Sequence, residues 1–248
     1  MPFNFTVSPD FAPDHMSGWF YFNTWLQRKL GTDIHLELYD GFDSQRADIR
    51  AGKIDLIYAN PYDASMLVRE MGFKAVARPA GKRDEAVIVV PADSAVQQVE
   101  DLAEGIRIAT TADPDVHTIG MIMLEPADLD AGNTEQREYD SYILIAKALM
   151  RGQADAGFFL KQGYDELSDL IKKQMRVIVS SQISVVHHAL LVGPSMQDRF
   201  GELSEALISM KEDEKGLGVL ESMGLQGWES MSVEQTEFMI DLIDTLID

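Results

Sequence analysis

His15, His117 and His187 come from three well-separated stretches of the chain, and Tyr62 and Tyr142 each stand just beyond a short strand-like run. Imidazoles brought together from separate segments can hold a metal ion or donate to an oxyanion. The spacing argues against a metal: no pair of the His-x-x-x-His kind occurs, and His187 and His188 are adjacent, so on a strand they point to opposite faces. Each histidine is therefore read as a hydrogen-bonding or packing residue, with donation to a ligand as the sharper alternative. Tyr62 and Tyr142 each bring a phenol donor and an aromatic face; they either pack a helix start or touch a ligand. Ser141 and Asp140 lie beside Tyr142, and Asn60 and Asp40 close strands earlier in the chain.

Several chemistries are excluded outright. The chain has no cysteine, so disulfides, thiolate catalysis and thiolate metal sites are absent. No nucleophile elbow, phosphate loop or dinucleotide fingerprint is present. The reading is of a protein without cofactor or resident metal, and not of an enzyme. Twenty-one basic residues against 41 acidic ones leave a formal charge of −20, which opposes nucleic acid and anionic membrane surfaces. No stretch approaches the ~20 apolar residues of a membrane span.

The elements that must position these side chains repeat. Gly52, Asp55 and Tyr58 are echoed a hundred residues later by Gly152, Asp155 and Phe158. Each copy reads as a helix, a Gly stop suited to φ > 0, an Asp and an apolar strand, Ile54–Ala59 and Ala154–Leu160. Two similar α/β lobes follow from this, and ligands of such sheets sit beyond the carboxyl ends of the strands. Further strands are expected at Phe3–Val7, His35–Tyr39, Lys74–Arg78, Glu85–Val90, Ile106–Thr110, Glu135–Tyr139, Arg176–Ser180 and His188–Val192. Helices are expected from a Ser17 cap to Leu30, at Asp63–Met71, Gln97–Ala103, from near His117, at Tyr142–Arg151 behind a Ser141 cap, and at Tyr164–Gln174. Met196–Met210, Glu214–Met223 and Val233–Ile247 close the chain, the last packing through Phe238, Leu242 and Leu246, with Met239, Ile243 and Ile247 beside them. The aromatic residues of the first helix are either buried between layers, or Trp19 or Tyr21 near its start lines the cleft.

Four features carry a resemblance: Ala-Gly-Lys-Ile-Asp-Leu with Asn60-Pro61-Tyr62, Asp113-Pro114 opening a helix, Gly152-Gln153-Ala154-Asp155-Ala156-Gly157, and the return through His187-His188-Ala189-Leu190-Leu191-Val192. In this order and spacing the chain resembles the phosphate/phosphite/phosphonate-binding (PhnD-like) solute-binding proteins of ABC transporters. The resemblance implies an α/β, two-lobed type II periplasmic-binding-protein-like fold: mixed sheets flanked by helices, with a cleft between the lobes. It implies lobe 1 at 1–86 plus 188–248, lobe 2 at 87–187, and hinge closure at two crossings. It implies capture of a small polar or anionic molecule for a transporter or sensor protein, and a periplasmic location. The chain as given shows no export signal, so it is cytoplasmic if Met1 is the native start.

The family's Ser-Thr-Ser-Gly-like segment, which takes phosphoryl oxygens at a helix N-terminus, reads His117-Thr118-Ile119-Gly120 here. Thr118 and Gly120 keep the pattern and His117 replaces a hydroxyl. Residues 100–140 hold eleven acidic and two basic residues, which suits a less charged, zwitterionic or cationic ligand better than a phosphate dianion. The expected contacts are Tyr62, Asn60, His117, Thr118, Ser141, Tyr142, His15 and His187. Two other readings are a cytoplasmic enzyme on the same fold, of the menaquinone or thiamine-pyrimidine type, and an interaction protein whose ligand site is plugged by Trp19 or Phe158.

Overall fold

The computed structural model describes every residue except Met1, Ala12, Arg83, Ser184 and Asp248, and describes Pro13, Leu246 and Ile247 by backbone alone. In chain order the elements are β1 (Phe3–Val7), α1 (Met16–Leu30), β2 (Ile34–Glu37), α2 (Phe42–Arg50), β3 (Leu56–Ala59), α3 (Pro61–Arg69) and β4 (Lys74–Pro79). Next come β5 (Ala86–Pro91), β6 (Arg107–Thr110), α4 (Pro114–Ile122), β7 (Glu135–Glu138), α5 (Tyr142–Met150), β8 (Ala156–Leu160), α6 (Lys161–Asp165), α7 (Asp169–Lys172) and β9 (Met175–Ser180). The chain closes with β10 (Ala189–Val192), α8 (Phe200–Ile208), α9 (Glu214–Ser222), β11 (Trp228–Ser230) and α10 (Val233–Ile247). It divides into two compact units: unit 1 is Met1–Lys82 with His187–Asp244, and unit 2 is Arg83–Val186 with Thr245–Asp248.

Unit 1 holds a six-stranded mixed sheet in the order β11-β4-β10-β3-β1-β2. The strands β1, β2 and β3 are parallel, and β10 runs antiparallel between β3 and β4. Strand alternation sends Leu56 and Tyr58 into one core with Phe5, Trp19, Phe22 and Trp228, and sends Ile57 and Ala59 into another with Ile49, Leu67 and Met239. Both faces are covered, which is why β3 reads as a continuous apolar run. Unit 2 repeats the plan in the order β7-β6-β8-β5-β9, with β6, β7 and β8 parallel and β5 antiparallel to both β8 and β9. One face packs Val87, Ala109, Ile145, Leu149 and Phe159.

The Gly/Asp echo has a common physical role. Gly52 and Gly152 take φ of 68° and 64°, left-handed values that favour a residue without Cβ. Asp55 then accepts the N–H of Asn4 and gives its own N–H to the Asn4 carbonyl. Asp155 does the same with Arg107. In each unit the aspartate clips the incoming strand to the first residues of its parallel neighbour.

Several elements depart from the sequence expectations. A 3-10 turn at Pro13–His15 runs directly into α1, so His15 rather than Ser17 occupies the N-cap position. The helix foreseen at Gln97–Ala103 is a single 3-10 turn, Val99–Asp101: Gln98 and Asp101 cap each other across it and Leu102 is already extended. Tyr164–Gln174 is two short helices, because Ser168 caps a new start by accepting the Ile171 N–H. Met196–Met210 begins as 3-10 helix at Pro194–Arg199 before α8. The packing stripe of α10 is Thr236, Met239, Ile240 and Ile243, whereas Phe238 is 60% exposed; the side chains of Leu246 and Ile247 lie outside the described residues. Trp19 is core, ringed by Phe5, Phe22 and Tyr58, and Phe158 is fully buried against Gly120 in unit 2.

Candidate ligand-binding site

In unit 1 the polar residues gather at the carboxyl ends of β1 and β3. Asn60 is buried and caps α3: its Oδ1 accepts the Asp63 N–H at 2.7 Å, and its Nδ2 donates to Ser8 Oγ at 3.0 Å and Asp63 Oδ2 at 2.9 Å. Arg46 on α2 donates through Nε to Asp63 Oδ1 at 2.6 Å and through a second nitrogen to Oδ2 at 3.3 Å. Its guanidinium lies 5.0 Å from the Tyr62 ring and 5.2 Å from the Phe42 ring. Asn60 and Tyr62 are thus brought together, both engaged in holding an internal ion pair.

A second polar pair lies at the same end of the sheet. His188 Nε2 donates to Asp10 Oδ2 at 2.9 Å, with both side chains largely buried, and its ring stacks on Tyr58 at 5.1 Å. Burial alone would push the Asp10 carboxyl up; the charge and hydrogen bond of His188, with a hydrogen bond from Ser8, outweigh it and hold Asp10 below the usual carboxylate range. A depressed pKa gives stability that is complete above the ordinary value of 3.8 and is lost as the pH falls below it. Asp10→Asn is expected to cost about 2 kcal/mol at pH 7. Urea unfolding from pH 5 to 2 checks the sign: the variant loses stability with acid less steeply than the parent.

His15 and His187, also in unit 1, make contacts of their own. His15 donates to the Ser222 carbonyl at 3.3 Å and fills the space over Gly224, at the packing of α1 on α9. His187 is buried and its Nδ1 donates to the His188 carbonyl at 3.1 Å.

In unit 2 two helices start beyond the carboxyl ends of the parallel strands β6 and β7. Helix α4 begins at Pro114, three residues before His117, because Asp113 caps it. Its donors are all accounted for. Pro114 has no N–H; the N–H groups of Asp115 and Val116 go to Asp113 Oδ1 at 3.0 and 3.3 Å; that of His117 goes to the Asp113 carbonyl at 3.1 Å. The His117 ring turns along the edge strand, donating from Nε2 to Gln136 Oε1 at 2.7 Å. Thr118, one residue on, is half-buried.

Helix α5 is capped less fully. Among the described residues the Ser141 hydroxyl accepts one N–H, that of Leu144, at 3.4 Å, and the Ser141 carbonyl accepts the same N–H at 3.0 Å. Tyr142 opens the helix, donates its hydroxyl to Asp113 Oδ2 at 3.4 Å and stacks on Phe159. Ser141, Tyr142 and Asp113 are therefore one local group, while His117 points to β7.

Asp10, Arg46, Asp63 and Phe159 were not singled out from sequence, and His188 was noted there only as the neighbour of His187. Asp10, two residues beyond β1, had the position to be noticed; Arg46 and Asp63 lie on different helices and carry no joint local signal.

Among the described residues no helix is long and apolar enough to cross a membrane. No curated protein matches the chain by sequence. Solved structures do. PhnD1 from Prochlorococcus marinus (MIT 9301), in complex with methylphosphonate, aligns with TM-score 0.80 at 14% identity, over 99% of this chain and 97% of that one. A Xanthomonas citri protein bound to ATP aligns with TM-score 0.79 at 14% identity, over 99% and 98%. The alkanesulfonate-binding protein SsuA from Xanthomonas axonopodis pv. citri, bound to MOPS, aligns with TM-score 0.66 at 17% identity, over 99% and 93%. This chain has their type II periplasmic-binding fold. The family model for the phosphonate periplasmic substrate-binding protein of ABC transporters matches residues 5–236. The chain belongs to that family of periplasmic substrate-binding proteins.

Proposed function

We propose that the protein reversibly captures a small organic oxyanion of the phosphonate or sulfonate kind, without turnover, and delivers it to an ABC transporter, its two compact units serving as the lobes. The ligands named for its structural neighbours, methylphosphonate, ATP and MOPS, all carry a phosphoryl or sulfonyl oxyanion. The observation that carries the reading here is the difference between the two helix starts of unit 2. The α4 donors are consumed by Asp113, so the oxyanion is assigned to the first turn of α5, with Ser141, Tyr142 and Thr118 as contacts.

Residues 100–140, within unit 2, hold eleven acidic residues against two basic ones. The ligand is therefore assigned a donor near its oxyanion, an ammonium or a protonated oxygen, in preference to a bare dianion. Titration calorimetry with methylphosphonate, an aminoalkylphosphonate, methanesulfonate and inorganic phosphate tests this order, with the aminoalkylphosphonate expected tightest. The double variant Thr118→Ala/Tyr142→Ala is expected to weaken binding by about tenfold or more while the protein stays folded. Unchanged affinity removes the assignment. Mass spectrometry of ligand recovered after long incubation checks the other half: an altered mass points to an enzyme.

A further inference from the structure

We propose that Gly163 and Phe159 are positioning residues that fix the ring of Tyr142; the inference rests on Tyr142 being a ligand contact. Phe159 is the fully buried penultimate residue of β8, and Gly163 lies in α6, which starts as β8 ends. The two straddle one strand-to-helix junction and both meet the same ring. Phe159 stacks on Tyr142 with centroids 5.6 Å apart and planes at 27°. A Cβ at Gly163 would stand 2.5 Å from Tyr142 Cδ2 and 2.6 Å from Cε2, closer than carbon atoms approach. Phe159 is itself held edge-on by Tyr164 of α6, at 5.7 Å and 78°.

The consequence is preorganisation. A tyrosine at the first position of a helix has two free side-chain torsions, and fixing them on binding costs affinity. Here the ring is already held against β8 and α6, and its hydroxyl is already set on Asp113. Gly163 is then glycine because the Tyr142 ring occupies the space of its side chain, not because of its backbone, whose φ is not among the positive values.

The test is a double-mutant cycle on the full chain, read as the Kd for methylphosphonate by calorimetry and as Tm by scanning calorimetry. Gly163→Ala displaces the ring and is expected to weaken binding about tenfold; in the Tyr142→Ala background the same change is expected to leave the Kd unaltered. Phe159→Leu, which frees the ring without adding volume, repeats the cycle should Gly163→Ala fold poorly. Purely structural roles would move Tm in both backgrounds and leave the Kd alone. If Tyr142→Ala weakens binding while Gly163→Ala and Phe159→Leu do not, or if their effects add to it, the positioning proposal falls and the Tyr142 contact stands. If Tyr142→Ala leaves the Kd unchanged, or the parent does not bind methylphosphonate at millimolar concentration, the contact itself falls and takes the inference with it.

Discussion

Gly18→Ala is expected to destabilise the protein by on the order of 3 kcal/mol, lowering Tm by about 6–12 °C. Gly18 sits in the first turn of α1, where alanine would ordinarily be the better helix former by about 1 kcal/mol. Packing reverses that preference. A Cβ there would lie 2.4 Å from the Ser222 carbonyl oxygen and 2.7 Å from the Met223 nitrogen, both backbone atoms at the end of α9. Backbone at a helix end yields less easily than a side-chain tip, so the helices must separate. Across the same seam His15 stands over Gly224, whose φ is +67°, leaving little slack to absorb the shift. Gly201 in α8 is the control: it has open space and no positive φ, so Gly201→Ala is expected to stabilise by about 0.5–1 kcal/mol. Equal effects at the two positions, by thermal or urea unfolding, would refute the packing argument.

Arg46→Ala is expected to cost about 3–5 kcal/mol at neutral pH, because it strands a carboxylate inside the protein. Asp63 is only 2% exposed at its side chain, and Arg46 supplies two of its hydrogen bonds. Burial alone would lower the Arg46 pKa, but the hydrogen bond and charge of Asp63 outweigh it and raise it further. The same truncation removes the cation between the Phe42 and Tyr62 rings. Removing both partners, Arg46→Ala/Asp63→Ala, is expected to cost clearly less than the two single losses added together. Urea unfolding of the four proteins at pH 7 measures the coupling, and strict additivity would show that the pair does not act as a unit. By contrast Arg107–Asp155, which ends the strand clip of unit 2, has both side chains nearly half exposed to screening solvent and is expected to contribute little.

What was legible in the sequence was local. Gly52 and Gly152 marked helix ends because a positive φ is a property of one residue. Ser141 announced α5 for the same reason, its oxygen reaching only three residues on. The doubled Gly-x-x-Asp pattern exposed the paired units because each copy performs one short-range task, joining a helix end to a neighbouring strand. The Gln97–Ala103 helix failed where polar residues capped one another and closed the turn after three residues, and Phe238 was misplaced because a periodic stripe does not say which of two adjacent faces is covered. The candidate site was legible in its positions, beyond the strand ends, and less so in its partners. That Asp113 would consume the α4 donors, that His117 would turn to Gln136, and that His188 would meet Asp10 from 178 residues away are outcomes of tertiary placement.

The position of β10 between β3 and β4 bears on how the molecule is made. Unit 2 is nearly one continuous run of chain, whereas the middle of the unit 1 sheet is supplied by Ala189–Val192. At translation speeds of about 5–20 residues per second, several seconds pass between the emergence of β4 and that of the strand that joins it to β3. During that interval two apolar strands stand with open hydrogen-bonding edges, the configuration most prone to pairing with another chain. The nascent protein is therefore expected to be most vulnerable to aggregation after Pro79 and before Val192, and a chain truncated within that interval should depend most on chaperones.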